Sequence, residues 1–195
     1  MSLVFDIFQG IGVAGAVGVR PFLPAAVTGA LAAGDVEITF LHTDFHFLQQ
    51  PVFLAVMVVA ALVFLLVDWR AGTSAGVARA VAGVLIVVAL VIGALLCGGA
   101  IARGHHADWI GIVIGIACAA IGLAATWPFL ARVRSRLGEE AGLLAVLTEL
   151  AAAVAAGLSV VAPPIGVILV AALLYLLVAG RARGEQKYAG LRILR

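Results

Sequence analysis

The residues with the most chemistry to offer sit together inside an apolar run, Gly18-Val19-Arg20-Pro21-Phe22-Leu23-Pro24. Arg20 is a permanent cation whose planar fork of N–H donors matches a carboxylate or a phosphate. It stands roughly 17 residues into the run, which at about 1.5 Å per residue is near the middle of a bilayer. A guanidinium there costs at least ~2.5 kcal/mol unless a partner compensates it. Pro21 and Pro24 each lack a backbone donor, which in a continuous helix frees the carbonyls of Val17 and Arg20. Lipid cannot satisfy those carbonyls, so protein or trapped water must. Val17, Gly18, Arg20, Pro21 and Pro24 are therefore the candidate substrate-binding set, with Arg20 recognising an anion and the freed carbonyls supplying acceptors. The competing reading is an internal ion pair that sets helix register. Glu149, in Leu147-Thr148-Glu149-Leu150, is the acid deep in a later apolar run and the expected partner. As a coupling acid it would take up a proton as the pair opens.

The four histidines are a second group. His42 and His46 flank Asp44, and His105 and His106 precede Asp108. Imidazoles and carboxylates suit zinc or another divalent ion, or a pH sensor. Their spacing fits no dedicated metal motif, and ordinary polar loop residues are the favoured reading, so no metal or other cofactor is expected. No Gly-rich phosphate loop, no paired acids on one span and no Ser-His-Asp order within one half of the chain argue for catalysis. A non-enzyme without catalytic residues is expected.

The elements that must hold these groups follow from composition. Of 195 residues 65% are hydrophobic and 11% charged, with a mean hydropathy of +1.23. That is the signature of an all-α, polytopic transmembrane helical bundle. Cys97 and Cys118 lie inside apolar runs and read as packing residues rather than a disulfide framework. The formal net charge of +2 gives no reason to expect nucleic-acid binding. The start of the chain carries Asp6 and no Lys or Arg, which is unlike a cleaved leader. One domain, residues 1–195, is expected.

The apolar runs predict about six spans, at residues 3–33, 51–67, 77–101, 109–130, 142–161 and 165–180. The first is too long for one straight span and is expected to break at Arg20-Pro21. The turn Ala162-Pro163-Pro164-Ile165-Gly166 separates the last two. An even count puts Arg70, Arg79, Arg132, Arg134, Arg136, Arg181, Arg183, Lys187, Arg192 and Arg195 on one side, with Arg103 alone on the other. This bias predicts both termini on the cytoplasmic side of a bacterial inner membrane. The tail, residues 181–195, would then meet anionic lipid headgroups, with a docked partner as the second choice. Trp69, Trp109 and Trp127 fall near span ends, as an aromatic belt requires.

The exterior loop, residues 34–50, alternates apolar and polar at Val36-Glu37-Ile38-Thr39-Phe40 and again at Phe45-His46-Phe47, the period of a short β-hairpin; an interfacial lid is the other option. Small residues mark close helix contacts: Gly10, Gly12, Gly15 and Gly18; Gly111, Gly115 and Ala119; Ala151, Ala155 and Gly157. They serve internal packing, a homo-oligomer, or both. An offset of 107 aligns Gly15, Pro21, Phe22 and Leu23 with Gly122, Pro128, Phe129 and Leu130, which raises the option of an inverted 3+3 repeat.

The Gly18–Pro24 motif resembles the first-span signature of the bacterial integral-membrane family catalogued as domain of unknown function 4126. Asp68 after the second span and Thr148-Glu149 early in the fifth sit where polar positions of that family are expected. The resemblance implies a small polytopic membrane protein without an assigned activity. The expected function is a small transporter or channel with an anion or anionic-lipid site at Arg20. The alternative is a non-transporting scaffold that binds another membrane protein.

Overall fold

The computed structural model describes residues 3–70, 75–104, 108–137 and 141–191, without the side chains of 68–70, 75–80, 134–135, 137, 141 and 182–191. Among them are seven α-helices and no strand: α1 (Leu3–Val19), α2 (Phe22–Ala33), α3 (Pro51–Arg70), α4 (Ala75–Ala102), α5 (Asp108–Leu137), α6 (Ala141–Val161) and α7 (Pro163–Leu191). Four segments are long and apolar enough to cross a membrane: Val81–Ala102, Asp108–Val133, Gly142–Val161 and Pro163–Arg181. Away from Arg132 and Arg181 at their ends, their outward side chains are mostly apolar, among them Val87, Val113, Val154 and Ile168, which is the surface of a protein solvated by lipid.

α1 is the central rod. It packs against α4, α5, α6 and α7, and Val13, Ala14, Ala16 and Val17 are fully buried. Small residues let the backbones approach. A Cβ on Gly12 would overlap Gly166 of α7 and Ser159 of α6, and one on Gly18 would overlap the Ala119 carbonyl of α5. Gly111 and Gly115 face Cys97, Gly98 and Gly93 of α4. On α6 the buried stripe is Ala145, Glu149, Ala152, Ala156 and Val160, at helical spacing; Ala151 faces outward and Ala155 is only half-buried, unlike the expected pair.

The helix breaks have local causes. The residue before a proline is pushed away from the helical region, and Pro21 cannot donate, so α1 closes with Arg20 N donating to the Ala16 carbonyl at 3.2 Å. Pro21 itself is helical (φ −79°, ψ −32°) and starts α2. Pro24 falls in the first turn of α2, where a missing donor costs nothing. At the other break, Ala162 separates α6 from α7, which begins at Pro163.

The helix directions differ from the expected path. A single interrupted span would carry residues 3–33 from one end of the bundle to the other. Instead, α1 descends along α6, with Gln9 at Val160, Gly12 at Ser159 and Arg20 at Glu149. α2 climbs back along the same helix, with Leu23 at Glu149 and Val27 beside Gly157. The chain after α2 returns to the start of α1, where the Glu37 carbonyl accepts from Gln9 and Arg103. Asp6 and Glu37 therefore share one end of the bundle, here the Arg103 end. Arg132 of α5 and Gly180 of α7 share the opposite end.

Residues 34–50 are not a β-hairpin. Asp35 (φ 54°) and Glu37 (φ 57°) are left-handed, which breaks an extended run. The Gln49 side chain accepts from Phe40 N at 2.8 Å, and His46–Gln49 form a short 3-10 helix. The alternation records burial instead: Ile38 and Phe40 point inward, and Phe40 and Phe45 fill the space over Gly99. The possible repeat has no counterpart at its prolines, because α5 continues through Pro128 whereas the helix stops at Pro21.

Candidate functional site

The sequence motif becomes the tip where α1 ends and α2 begins. Both helices expose their polar ends there. The C-terminal end of α1 carries partial negative charge and the N-terminal end of α2 partial positive charge. Arg20 sits just past the first. Glu149, from α6, reaches the second: its Oε1 accepts from Leu23 N at 3.0 Å. Its Oε2 lies 3.8 Å from Arg20 Nε. Four alternating charges, two whole and two partial, thus meet in one place. The prolines simplify the task, since of the four backbone positions that lack an intrahelical acceptor at the start of α2, Pro21 and Pro24 have no N–H. Glu149 takes one of the two donors left.

Burial makes the arrangement strong. Arg20 is 9% exposed and Glu149 3%. Removing one partner of such a pair leaves an uncompensated charge, at a cost of about 3–5 kcal/mol. The rest of the expected binding set is placed around the pair as packing. Val17 is fully buried, and Gly18 lies against the α5 backbone, so its Cα offers no ligand surface. Pro21 is buried. The Pro24 carbonyl accepts from Thr28 Oγ1 at 2.9 Å, inside α2. The aromatic ring of Phe22 stacks on Phe64 of α3, centroids 4.9 Å apart, which anchors the far side of the tip.

A second polar cluster, absent from the sequence-based expectations, lies at the Arg103 end. Arg103 pairs with Asp6 and donates to the Glu37 carbonyl and to Gln9 Oε1. Gln9 in turn donates to the Val160 carbonyl at the end of α6. Asp6 and Gln9 are each 2% exposed. The cluster borders an open pocket of about 400 Å³ lined by Asp6, Asp35, Glu37, Thr39 and Arg103. A signal was present: Asp6 and Gln9 are three apart on an otherwise apolar helix, and polar side chains at such positions need partners.

Of the four histidines the structure describes two. His42 and His46 are exposed, and His46 Nδ1 lies 3.4 Å from Gln50 Nε2. His105 and His106 lie outside the described residues, as do the side chains of Asp68 and Trp69. Among the described residues no group of three or more His, Cys, Asp or Glu is placed to hold a metal ion.

No family model, no curated protein and no solved structure matches the chain, so the site stands on its own geometry.

Proposed function

We propose that the protein is a small membrane transporter or channel for an anion or an anionic lipid headgroup, with its site at the α1–α2 tip. One observation carries this reading: a carboxylate, that of Glu149, already occupies the place between Arg20 and the N-terminal end of α2. Helix ends that meet deep in a bundle are how membrane proteins bring donors to an anionic group away from water. Glu149 is then the coupling acid, and a substrate anion takes its place when it withdraws. The bundle sits in a bacterial cytoplasmic membrane with the Arg132 end inward, as the distribution of Lys and Arg favours. The tail of residues 181–195 contacts anionic headgroups. A relation to the family catalogued as domain of unknown function 4126 rests on Gly18–Pro24.

The test is flux in proteoliposomes loaded in turn with chloride, phosphate and acetate. Wild-type protein conducts at least one of them, and the paired variant Arg20→Met/Glu149→Gln, which removes both charges together, folds and conducts none. Wild-type vesicles that retain all three probes sink the proposal for these small anions; equal flux through the paired variant sinks the assignment of the site.

The closeness of Arg20 and Glu149 favours a second reading, in which the tip is architectural and the protein is a scaffold. That reading requires a co-purifying membrane protein whose binding survives in the folded paired variant. Homo-oligomer formation is compatible with both readings.

A further inference from the structure

We infer that α1 and α2 form a half-membrane hairpin, entering and leaving the bilayer on the Arg103 side. The Leu3 end of α1 then shares a side with residues 34–50 and lies opposite Arg132 and Arg136. Five crossings follow, α3 to α7, rather than six, and the two ends of the chain lie on opposite sides. The inference does not depend on transport.

Four neighbours of α1 agree on its direction. It is antiparallel to α4, with Gly10 against Cys97 and Ala14 beside Gly93. It is antiparallel to α6, from Gln9 at Val160 to Arg20 at Glu149. It is parallel to α7, with Gly12 at Gly166 and Gly15 at Val170, and α5 shares that direction because it is antiparallel to α4, with Gly111 at Gly98 and Gly115 at Gly93. A register slip cannot reverse all of these at once.

Length agrees. The 12 residues of α2 extend only about 18 Å, short of the roughly 30 Å hydrocarbon core. Glu149 lies about 18 Å down α6 from Val161, so the tip reaches a little past the middle of the bilayer and stops. A chain reversal at that depth is tolerated only where protein satisfies its polar groups, which is what Glu149 does for Leu23 and Arg20. At the mouth, Arg103 fastens both arms, Asp6 and Gln9 of α1 and the Glu37 carbonyl after α2. Charge agrees as well: residues 1–19 contain no Lys or Arg, so nothing in them holds the Leu3 end on the cytoplasmic side.

The experiment is side-specific labelling of the full chain in intact bacterial cells with a membrane-impermeant maleimide. A cysteine in a short tag ahead of Met1 is compared with Leu41→Cys and Arg136→Cys, whose side chains are both exposed. Cys97 and Cys118 are buried and supply the blank. The hairpin requires the tag to label with Leu41→Cys and to be silent under the conditions that leave Arg136→Cys silent. A tag that labels with Arg136→Cys overturns it, whichever face of the membrane each lies on. A second measurement uses Gly10→Cys, because a Cβ there would stand 2.8 Å from Cys97 Sγ. In membranes oxidised with copper phenanthroline the introduced thiol and that of Cys97 should be lost to a crosslink, leaving Cys118 alone. If the folded variant keeps all three thiols, the register of α1 on α4 is wrong and the hairpin falls with it. If Gly10→Cys does not fold, the tag measurement decides alone.

Discussion

Two carboxylate–guanidinium pairs hold α1, one at each end, and they are not equivalent. Asp6–Arg103 lies at the mouth of the hairpin beside an open pocket, and Arg103 has two further partners in the Glu37 carbonyl and Gln9. Arg20–Glu149 lies at the tip, away from that pocket, and its charges also face two helix ends. The side chain of Arg103 is 18% exposed and that of Arg20 11%. The chemistry is the same and the surroundings differ. An ion pair that is also a helix cap does two tasks with one carboxylate, so its loss is felt twice; a pair set in a network of carbonyls and amides loses one strand of several.

The sharpest way to test this contrast is Glu149→Ala. It removes the pair and the Leu23 acceptor together, and should cost about 3–5 kcal/mol, read as a fall in folded yield and in Tm in detergent. If Asp6→Ala proves as harmful, the helix ends contribute nothing and the contrast is wrong. Next comes Gly12→Leu, midway between the pairs, where the new side chain must displace Gly166 and Ser159. Overpacking of about 1–3 kcal/mol is expected, checked by the same unfolding measurement. Asp6→Asn should be milder, about 1 kcal/mol, since the amide oxygen still accepts from Arg103. The smallest effect is the coupling between the two ends. The pairs are about 20 Å apart along α1, so Asp6→Asn and Glu149→Gln should add to within ~0.5 kcal/mol in a double-mutant cycle. A larger coupling would mean that α1 moves as a rigid rod and transmits one end to the other.

Much of the tip was legible beforehand. A buried Arg demands an acid, and Glu149 was the acid deep in a later span, so their pairing followed from scarcity. The stops at Val19 and Val161 followed from proline, which acts locally. The glycines of α1 marked one of its close-contact faces. The mouth was not legible, because the six-span expectation put the start of the chain and Arg103 on opposite sides of the membrane, and Gln9 meets backbone carbonyls that carry no sequence signal. The strand expected at Val36–Phe40 failed for a similar reason. Alternation reports which side chains are buried, and here they are buried on α4 rather than across a sheet.

The amino-acid sequence by itself determined that the chain is apolar and helical, that its helices break at Pro21 and Pro163, and that Arg20 must find an acid inside. These are matters of composition, of the proline ring and of the cost of an unpaired ion, all settled within a few residues. Only the tertiary structure decided that α2 turns back along α6 instead of continuing the path of α1. Hydropathy is the same read in either direction along a helix, so it carries no sign for the way a helix runs. That sign comes from the contacts of Gln9, Leu23 and Glu37 with distant parts of the chain, which exist only once α6 stands between the two arms.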